Sequence, residues 1–213
     1  MKVYTMRKLI ISALIAISIS LSAQVRLDKP EMYIGANFGV TESMVMFKPA
    51  VTQGFLMGYN GGIVFRYIAE KNVGMQAEPN FSQRGWQETS SMYSRQLNYI
   101  ELPFLTHIYV GRKNRVFFNI GPKISYLISE KVLVNSSAVS TDLQHITPVQ
   151  HPFDYGLCTG LGLLFNIGGS IYQLDTRANY SLGNVFNDQK KDYFANSNNF
   201  NLSVNLAWLF QVK

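Results

Sequence analysis

The residues best suited to nucleophilic catalysis gather in one polar stretch of the 213-residue chain. This stretch, residues 130–152, contains Ser136, Ser137, Ser140, Asp142, His145 and His151. A serine that a histidine activates and a carboxylate orients is the usual arrangement for hydrolysis or acyl transfer. The stretch has no Gly-x-Ser-x-Gly turn and no spacing that fixes a geometry, so an external loop explains its composition equally well. We therefore expect no catalytic residue and keep a lipid-modifying enzyme as an alternative.

Metal and cofactor chemistry has fewer candidates still. Two histidines in one loop are too few to define a metal site, and a single cysteine, Cys158, allows no intrachain disulfide and no thiolate zinc site. We expect Cys158 to be a small packing residue. His107 lies in a predicted strand, where we expect it to form a hydrogen bond at a rim or in an interior. The sequence therefore predicts no cofactor and no metal.

The charge of the chain argues against a nucleic-acid partner. The formal net charge is +6, but three of the 19 basic residues and none of the 13 acidic residues lie among the first 23. The remaining chain has 16 basic and 13 acidic residues, a net charge of +3. Its densest basic stretch, Arg112–Arg115, has no interleaved aromatic residues and falls in a predicted turn, so we expect no binding to nucleic acid.

The N-terminal residues 1–23 have the pattern of a signal peptide. Three basic residues precede the apolar run Leu9–Leu21, and the small pair Ser22-Ala23 follows it. This run is shorter than the roughly 20 residues that a membrane-spanning helix needs, so we expect cleavage and export. The remainder, residues 24–213, is predicted to form one domain.

Apolar residues recur with a period of two along most of this domain, which indicates β-strands. Eight strands are predicted, at about residues 31–40, 55–69, 72–84, 95–110, 115–129, 153–167, 170–183 and 199–210. Most have ten or more residues, which suits the 9–11 needed to cross a bilayer at a tilt. Tight turns alternate with longer polar connections, at 41–54, 85–94, 130–152 and 184–198. This alternation predicts an all-β, eight-stranded antiparallel up-and-down transmembrane β-barrel with short periplasmic turns and longer external loops.

The last predicted strand shows which face meets lipid. Its large apolar residues share one face and are Phe200, Leu202, Val204, Leu206, Trp208 and Phe210. The opposite face carries amide and small side chains, without the Lys and Glu that a water-facing surface would have. We therefore predict that the six large residues face lipid. The alternative is a soluble ligand-binding barrel, whose apolar face would point inward.

The other face of the strands predicts the content of the barrel. Ten polar side chains are expected to point inward: Asn37, Asn60, Arg66, Gln76, Glu78, Glu101, Lys123, Asp154, Asp175 and Arg177. Eight strands leave just enough room for side chains, and unpaired buried charge is costly. We therefore predict a hydrogen-bonded, ion-paired plug, with a proton or ion path as the alternative.

Four segments carry a resemblance to a known family. They are Leu97–Pro103, Phe118–Leu127, Phe153–Gly156 with Gly160–Gly162, and Arg177–Asn184. In this order they resemble the PorT-like outer-membrane β-barrel family of Bacteroidota, as does the ending Ser-Ala-Gln of the signal segment. The resemblance implies a bacterial outer-membrane location. The matched residues build a barrel and are not specific to secretion, so the type IX secretion role that names the family is kept only as an alternative.

These observations predict a non-enzymatic integral barrel of the outer membrane with a structural or interaction role through its loops or rim. The expected partners are outer-membrane lipid, the barrel-assembly machinery during biogenesis, and an envelope protein that the sequence does not identify. An accessory component of a secretion or envelope-assembly machine is the first alternative, and a lipid-modifying enzyme is the second.

Overall fold

The computed structural model describes residues 26–88, 93–135, 147–188 and 194–212. The strands are β1 (Arg26–Lys48), β2 (Gln53–Gly54), β3 (Leu56–Glu70), β4 (Val73–Ala77), β5 (Asn80–Glu88), β6 (Tyr93–Gly111), β7 (Asn114–Asn135), β8 (Phe153–Ile167), β9 (Ser170–Asn184) and β10 (Asn196–Gln211). The predicted signal peptide lies outside the described residues. Within the described residues, no helix is both long and apolar enough to cross a membrane.

The sheet closes on itself because β1 pairs with both β3 and β10. Strands β4 and β5 follow one another along a single position of the ring, between β3 and β6. The short β2 only extends the sheet beside the end of β5. Eight positions thus form the ring, and every pairing is antiparallel, which confirms the predicted up-and-down barrel.

The interruption between β4 and β5 falls at Glu78 and Pro79. Proline has no N–H group to donate to the neighbouring strand. The neighbours still bond to this point, because Ile63 N donates to Pro79 O at 3.1 Å and Glu78 N donates to Pro103 O at 3.3 Å. The ring therefore stays closed, and the side chain of Glu78 is directed into the interior, where it is fully buried.

The two ends of the barrel differ. At one end, here the turn end, tight turns join β3 to β4, β6 to β7 and β8 to β9. The residues with positive φ there are Asn72, Gly111, Gly168 and Gly169, the types that tolerate this conformation best. At the other end, here the loop end, the connections after β1, β7 and β9 are longer. This is the asymmetry that the sequence predicts.

The wall at the loop end is taller than predicted. Residues 41–48, expected in a loop, continue β1, and residues 130–135 continue β7. The continuation of β1 pairs with β10 as far as Lys48 and Asn196. In contrast, β8 begins only at Phe153. The expectation of long polar loops was wrong for these segments. The alternation of β1 continues through the inward polar residues Thr41 and Ser43. Residues 130–134 of β7 are exposed throughout and extend the strand because they pair with β6.

Side chains alternate between a polar interior and an apolar exterior. Strand β9 is an example: Gln173, Asp175 and Arg177 are buried, whereas Tyr172 and Leu174 are exposed. A soluble barrel has the opposite arrangement, with apolar residues inward. The observed orientation therefore contradicts the soluble-barrel alternative.

Candidate functional site

The interior of the barrel is filled in three layers. The layer nearest the turn end is mainly apolar and contains Tyr33, Val64, Ile68, Tyr109, Phe117, Leu164, Ile171, Ala207 and Leu209. His107 lies beside it, with ring centroids 5.6 Å from Tyr109 and 5.1 Å from Phe117. Its Nδ1 is 2.7 Å from Asn119 Oδ1. This layer closes the turn end of the interior, and His107 is a buried hydrogen-bonding residue.

The middle layer begins with a network around Arg177. Its Nε donates to Asp175 Oδ2 at 2.5 Å, and its Nη1 pairs with Glu78. Gln173 donates to the other oxygen of Asp175 at 2.6 Å and accepts a bond from Arg66. The guanidinium of Arg177 is therefore shared by Asp175 of its own strand and by Glu78 between β4 and β5, and the second pair joins β9 to the β4–β5 position across the interior.

A second network lies closer to the loop end and centres on Arg84. Its Nη2 pairs with Glu101, and its Nη1 donates to Asp154 Oδ2 at 3.1 Å. Lys123 Nζ lies 3.6 Å from Glu101 Oε2, and Ser181 Oγ donates to Asp154 Oδ2 at 2.7 Å. Charged groups that are buried in this way are stable only when paired and hydrogen-bonded.

The two networks contain all seven charged residues of the predicted plug: Arg66, Glu78, Glu101, Lys123, Asp154, Asp175 and Arg177. The three predicted amides, Asn37, Asn60 and Gln76, are also buried. Sequence reasoning missed Arg84, which is only 1% exposed. The signal was present, because Arg84 continues the even-numbered inward series that contains Glu78, and its charge gives this layer four bases for its four carboxylates.

A mainly aromatic layer closes the loop end. It consists of Val45, Phe47, Trp86, Tyr93, Leu97, Tyr99, Val185, Phe186 and Phe194 and is here called the aromatic cap. Phe186 and Phe194 come from the connection between β9 and β10 and fold back into the mouth of the barrel. Phe47 packs edge-to-face on Trp86, with ring centroids 5.6 Å apart. Nothing in the sequence pattern predicted this cap, because its loop residues lie in a polar context.

Arg95 packs against the side of the aromatic cap. Its guanidinium lies 5.8 Å from the ring centre of Trp86 and 5.6 Å from that of Tyr93, within the range of cation–π attraction. Its Nη1 is 3.4 Å from Glu130 Oε2 and also donates to Thr147 O. Arg95 therefore connects the cap to β7 and to the segment that precedes β8.

The other chemical candidates do not assemble into a site within the described residues. His151 is exposed at the loop end, while Ser136, Ser137, Ser140, Asp142 and His145 lie outside the described residues. Cys158 is buried and points inward. Residues 26–88, 93–135, 147–188 and 194–212 contain no group of three or more His, Cys, Asp or Glu side chains arranged to hold a metal ion.

The outer face carries an apolar band between two sets of aromatic side chains. On β10, Leu202, Val204, Leu206, Trp208 and Phe210 point outward and are exposed, and Phe200 is half-buried. Toward the loop end, the exposed tyrosines are Tyr59, Tyr126, Tyr155 and Tyr180. Toward the turn end, Tyr172 stacks on Trp208, with ring centroids 6.2 Å apart. Aromatic girdles on both sides of an apolar band are typical of barrels that cross a lipid bilayer.

Comparison with known proteins agrees with this geometry. The model of the family described as "Outer membrane protein beta-barrel domain" matches residues 23–187. The chain belongs to this family. The turn end of this outer-membrane barrel is therefore the periplasmic end, and the loop end is the external end. Membership of the PorT-like subgroup stays a prediction. A comparison with curated protein sequences gave no match.

Several solved structures are similar to this outer-membrane barrel. Ail, the attachment invasion locus protein of Yersinia pestis, is 12% identical with a TM-score of 0.43; the alignment covers 84% of this chain and 99% of Ail. OprG of Pseudomonas aeruginosa is 11% identical with a TM-score of 0.48, covering 84% and 95%. Neisserial surface protein A is 12% identical with a TM-score of 0.47, covering 84% and 98%.

Proposed function

We propose that this protein is a closed, non-enzymatic outer-membrane barrel that acts through its external surface rather than as a channel. The observation that carries the proposal is the three-layered interior. An apolar layer near the periplasmic end, paired charges in the middle and the aromatic cap succeed one another along the barrel axis. A pore for water-soluble solutes needs a continuous polar path, and an eight-stranded barrel has no spare width for one.

The proposal gives the paired charges a structural role. Each carboxylate of the middle layer lies against a guanidinium or ammonium group. The pairs of Arg84 with Glu101 and Asp154, and of Arg177 with Glu78, join different positions of the ring. Most of the large apolar side chains point outward, so the middle of the barrel has no apolar core like that of a soluble protein. The ion pairs hold the interior together in its place. An accessory role in secretion and a lipid-modifying activity stay alternatives from the sequence.

Single-channel recording in planar lipid bilayers tests the proposal. The refolded protein should give no sustained conductance above that of the protein-free bilayer. An open porin in the same bilayer is the positive control and shows that insertion events are detected. A sustained large conductance of this protein would contradict a closed interior.

A further inference from the structure

The outer wall of the barrel has a cleft at its external end, beside the low start of β8. The cleft has a volume of about 420 Å³ and is lined by His151, Pro152, Phe153, Tyr155, Leu182, Gly183, Asn184 and Asp188. This volume lies within the range of pockets that hold small ligands. Phe153, Tyr155 and Leu182 are each about half exposed on the outer face, so the cleft opens to the surroundings of the barrel and not into its interior.

Hydrogen bonds fix the two segments that form the upper part of the cleft. The backbone N–H groups of Gln150 and His151 both donate to Val185 O at 3.2 Å. In return, Asn187 N donates to Gln150 Oε1 at 2.7 Å. Asn184 Nδ2 donates to Asp188 Oδ2 at 2.9 Å, which orients the carboxylate. The cleft is therefore a built site, and a ligand would meet side chains that are already in position.

The lining combines two kinds of groups that saccharides need. Phe153 and Tyr155 stand side by side, with ring centroids 6.3 Å apart and 26° between the ring planes. Their faces carry negative quadrupole charge, which attracts the weakly positive C–H groups of a sugar ring. Asp188, Asn184 and His151 offer acceptors and donors for hydroxyl groups. At the Asp188 carboxylate, a sugar hydroxyl group, which can donate a hydrogen bond, is favoured over a phosphate group, which the carboxylate repels.

The height of the cleft indicates where the saccharide comes from. Tyr155 belongs to the exposed tyrosines at the external edge of the apolar band, and Phe153 lies one outward position further out on β8. A ligand in the cleft thus lies where the hydrocarbon ends and the headgroups begin. In the outer leaflet of a bacterial outer membrane, saccharide-headed lipids occupy this level.

We propose that this cleft binds the saccharide headgroup of an outer-leaflet glycolipid. The proposed function assigns the activity of the protein to its external surface, and the glycolipid would be the partner of that surface. The inference therefore rests on the proposed function. The two are tested by different measurements, since conductance reports the interior and lipid binding reports the outer wall. A conducting barrel that binds glycolipid would contradict only the closed interior, and a closed barrel that does not bind it would contradict only this inference.

Binding of rough lipopolysaccharide to the full mature barrel in phospholipid nanodiscs tests the inference. Tyr155→Ala removes one wall of the cleft, and Asp188→Ala removes its carboxylate without changing the apolar band. Each should weaken binding at least about tenfold, which corresponds to about 1.4 kcal/mol. The matched control is Tyr59→Ala, because Tyr59 is equally exposed at the same edge and stacks on Phe38 at 6.1 Å, but does not line the cleft.

The outcomes distinguish binding in the cleft from binding to any exposed tyrosine at the edge of the apolar band. Loss with Tyr155→Ala and Asp188→Ala, but not with Tyr59→Ala, supports the cleft. Equal loss in Tyr155→Ala and Tyr59→Ala, or no binding by the unchanged protein, would overturn it. The delipidated core oligosaccharide is the second arm: weaker binding than the intact lipid supports the membrane source, and equal binding would overturn it. Folding of each variant is checked by its heat-dependent gel mobility.

Discussion

Arg84 holds together the part of the interior closest to the external end. It touches the carboxylates of Glu101 and Asp154, and its guanidinium lies 4.7 Å from the ring centre of Tyr99. Replacement by methionine keeps much of the volume but leaves two buried carboxylates with less positive charge. Breaking a buried pair in this way costs about 3–5 kcal/mol. We expect Arg84→Met to lower the free energy of unfolding by about that amount, as measured by urea titration of the barrel in lipid vesicles.

Arg112→Met is the matched control for this prediction. Arg112 carries the same charge but lies exposed in the turn between β6 and β7. Surface substitutions of this kind change stability by about 0.5 kcal/mol or less. If both variants lowered the free energy of unfolding equally, the loss of a positive charge alone would explain the effect. The prediction that the ion pairs of Arg84 stabilise the interior would then be wrong.

At the scale of strands, alternation in the sequence was sufficient to predict the eight positions of the ring and the inward direction of Glu78, Lys123 and Arg177. It did not predict where β1 and β7 end, because the expected length was that of a bilayer crossing and both strands rise beyond it. It also missed Phe186 and Phe194, since a period-two pattern assigns a face only to strand residues. The cleft was missed for a related reason: it joins the end of β9 to the segment before β8, and only the folded chain brings these together.

Strand β10 offers a test of the lipid-facing assignment. Leu206 is 64% exposed and points outward in the middle of the apolar band. An arginine at the bilayer midplane costs about 2–4 kcal/mol, and near an interface only about 0–1 kcal/mol. We expect Leu206→Arg to lower the free energy of unfolding by about 2–4 kcal/mol, and Val212→Arg, one residue beyond the end of the same strand, to change it by at most about 1 kcal/mol. The measurement is the free energy of unfolding in vesicles; similar losses at both positions would contradict the predicted depth.

For the whole molecule, the three layers act as barriers in series along one axis. The low share of charged residues, 15%, follows from this design, since the outer band faces lipid and the interior admits only charges that can pair.

If the layers are independent barriers, removal of one layer should leave the others in place. We expect the double variant Phe186→Ala/Phe194→Ala, which opens the aromatic cap, to remain closed in single-channel recordings, because Arg84 and its partners still fill the interior beneath it. The pair Tyr109→Ala/Phe117→Ala should also stay closed, since it thins only the periplasmic layer. A sustained conductance from the cap variant alone would mean that the charged layer beneath is permeable, and that the cap is the only barrier of the barrel.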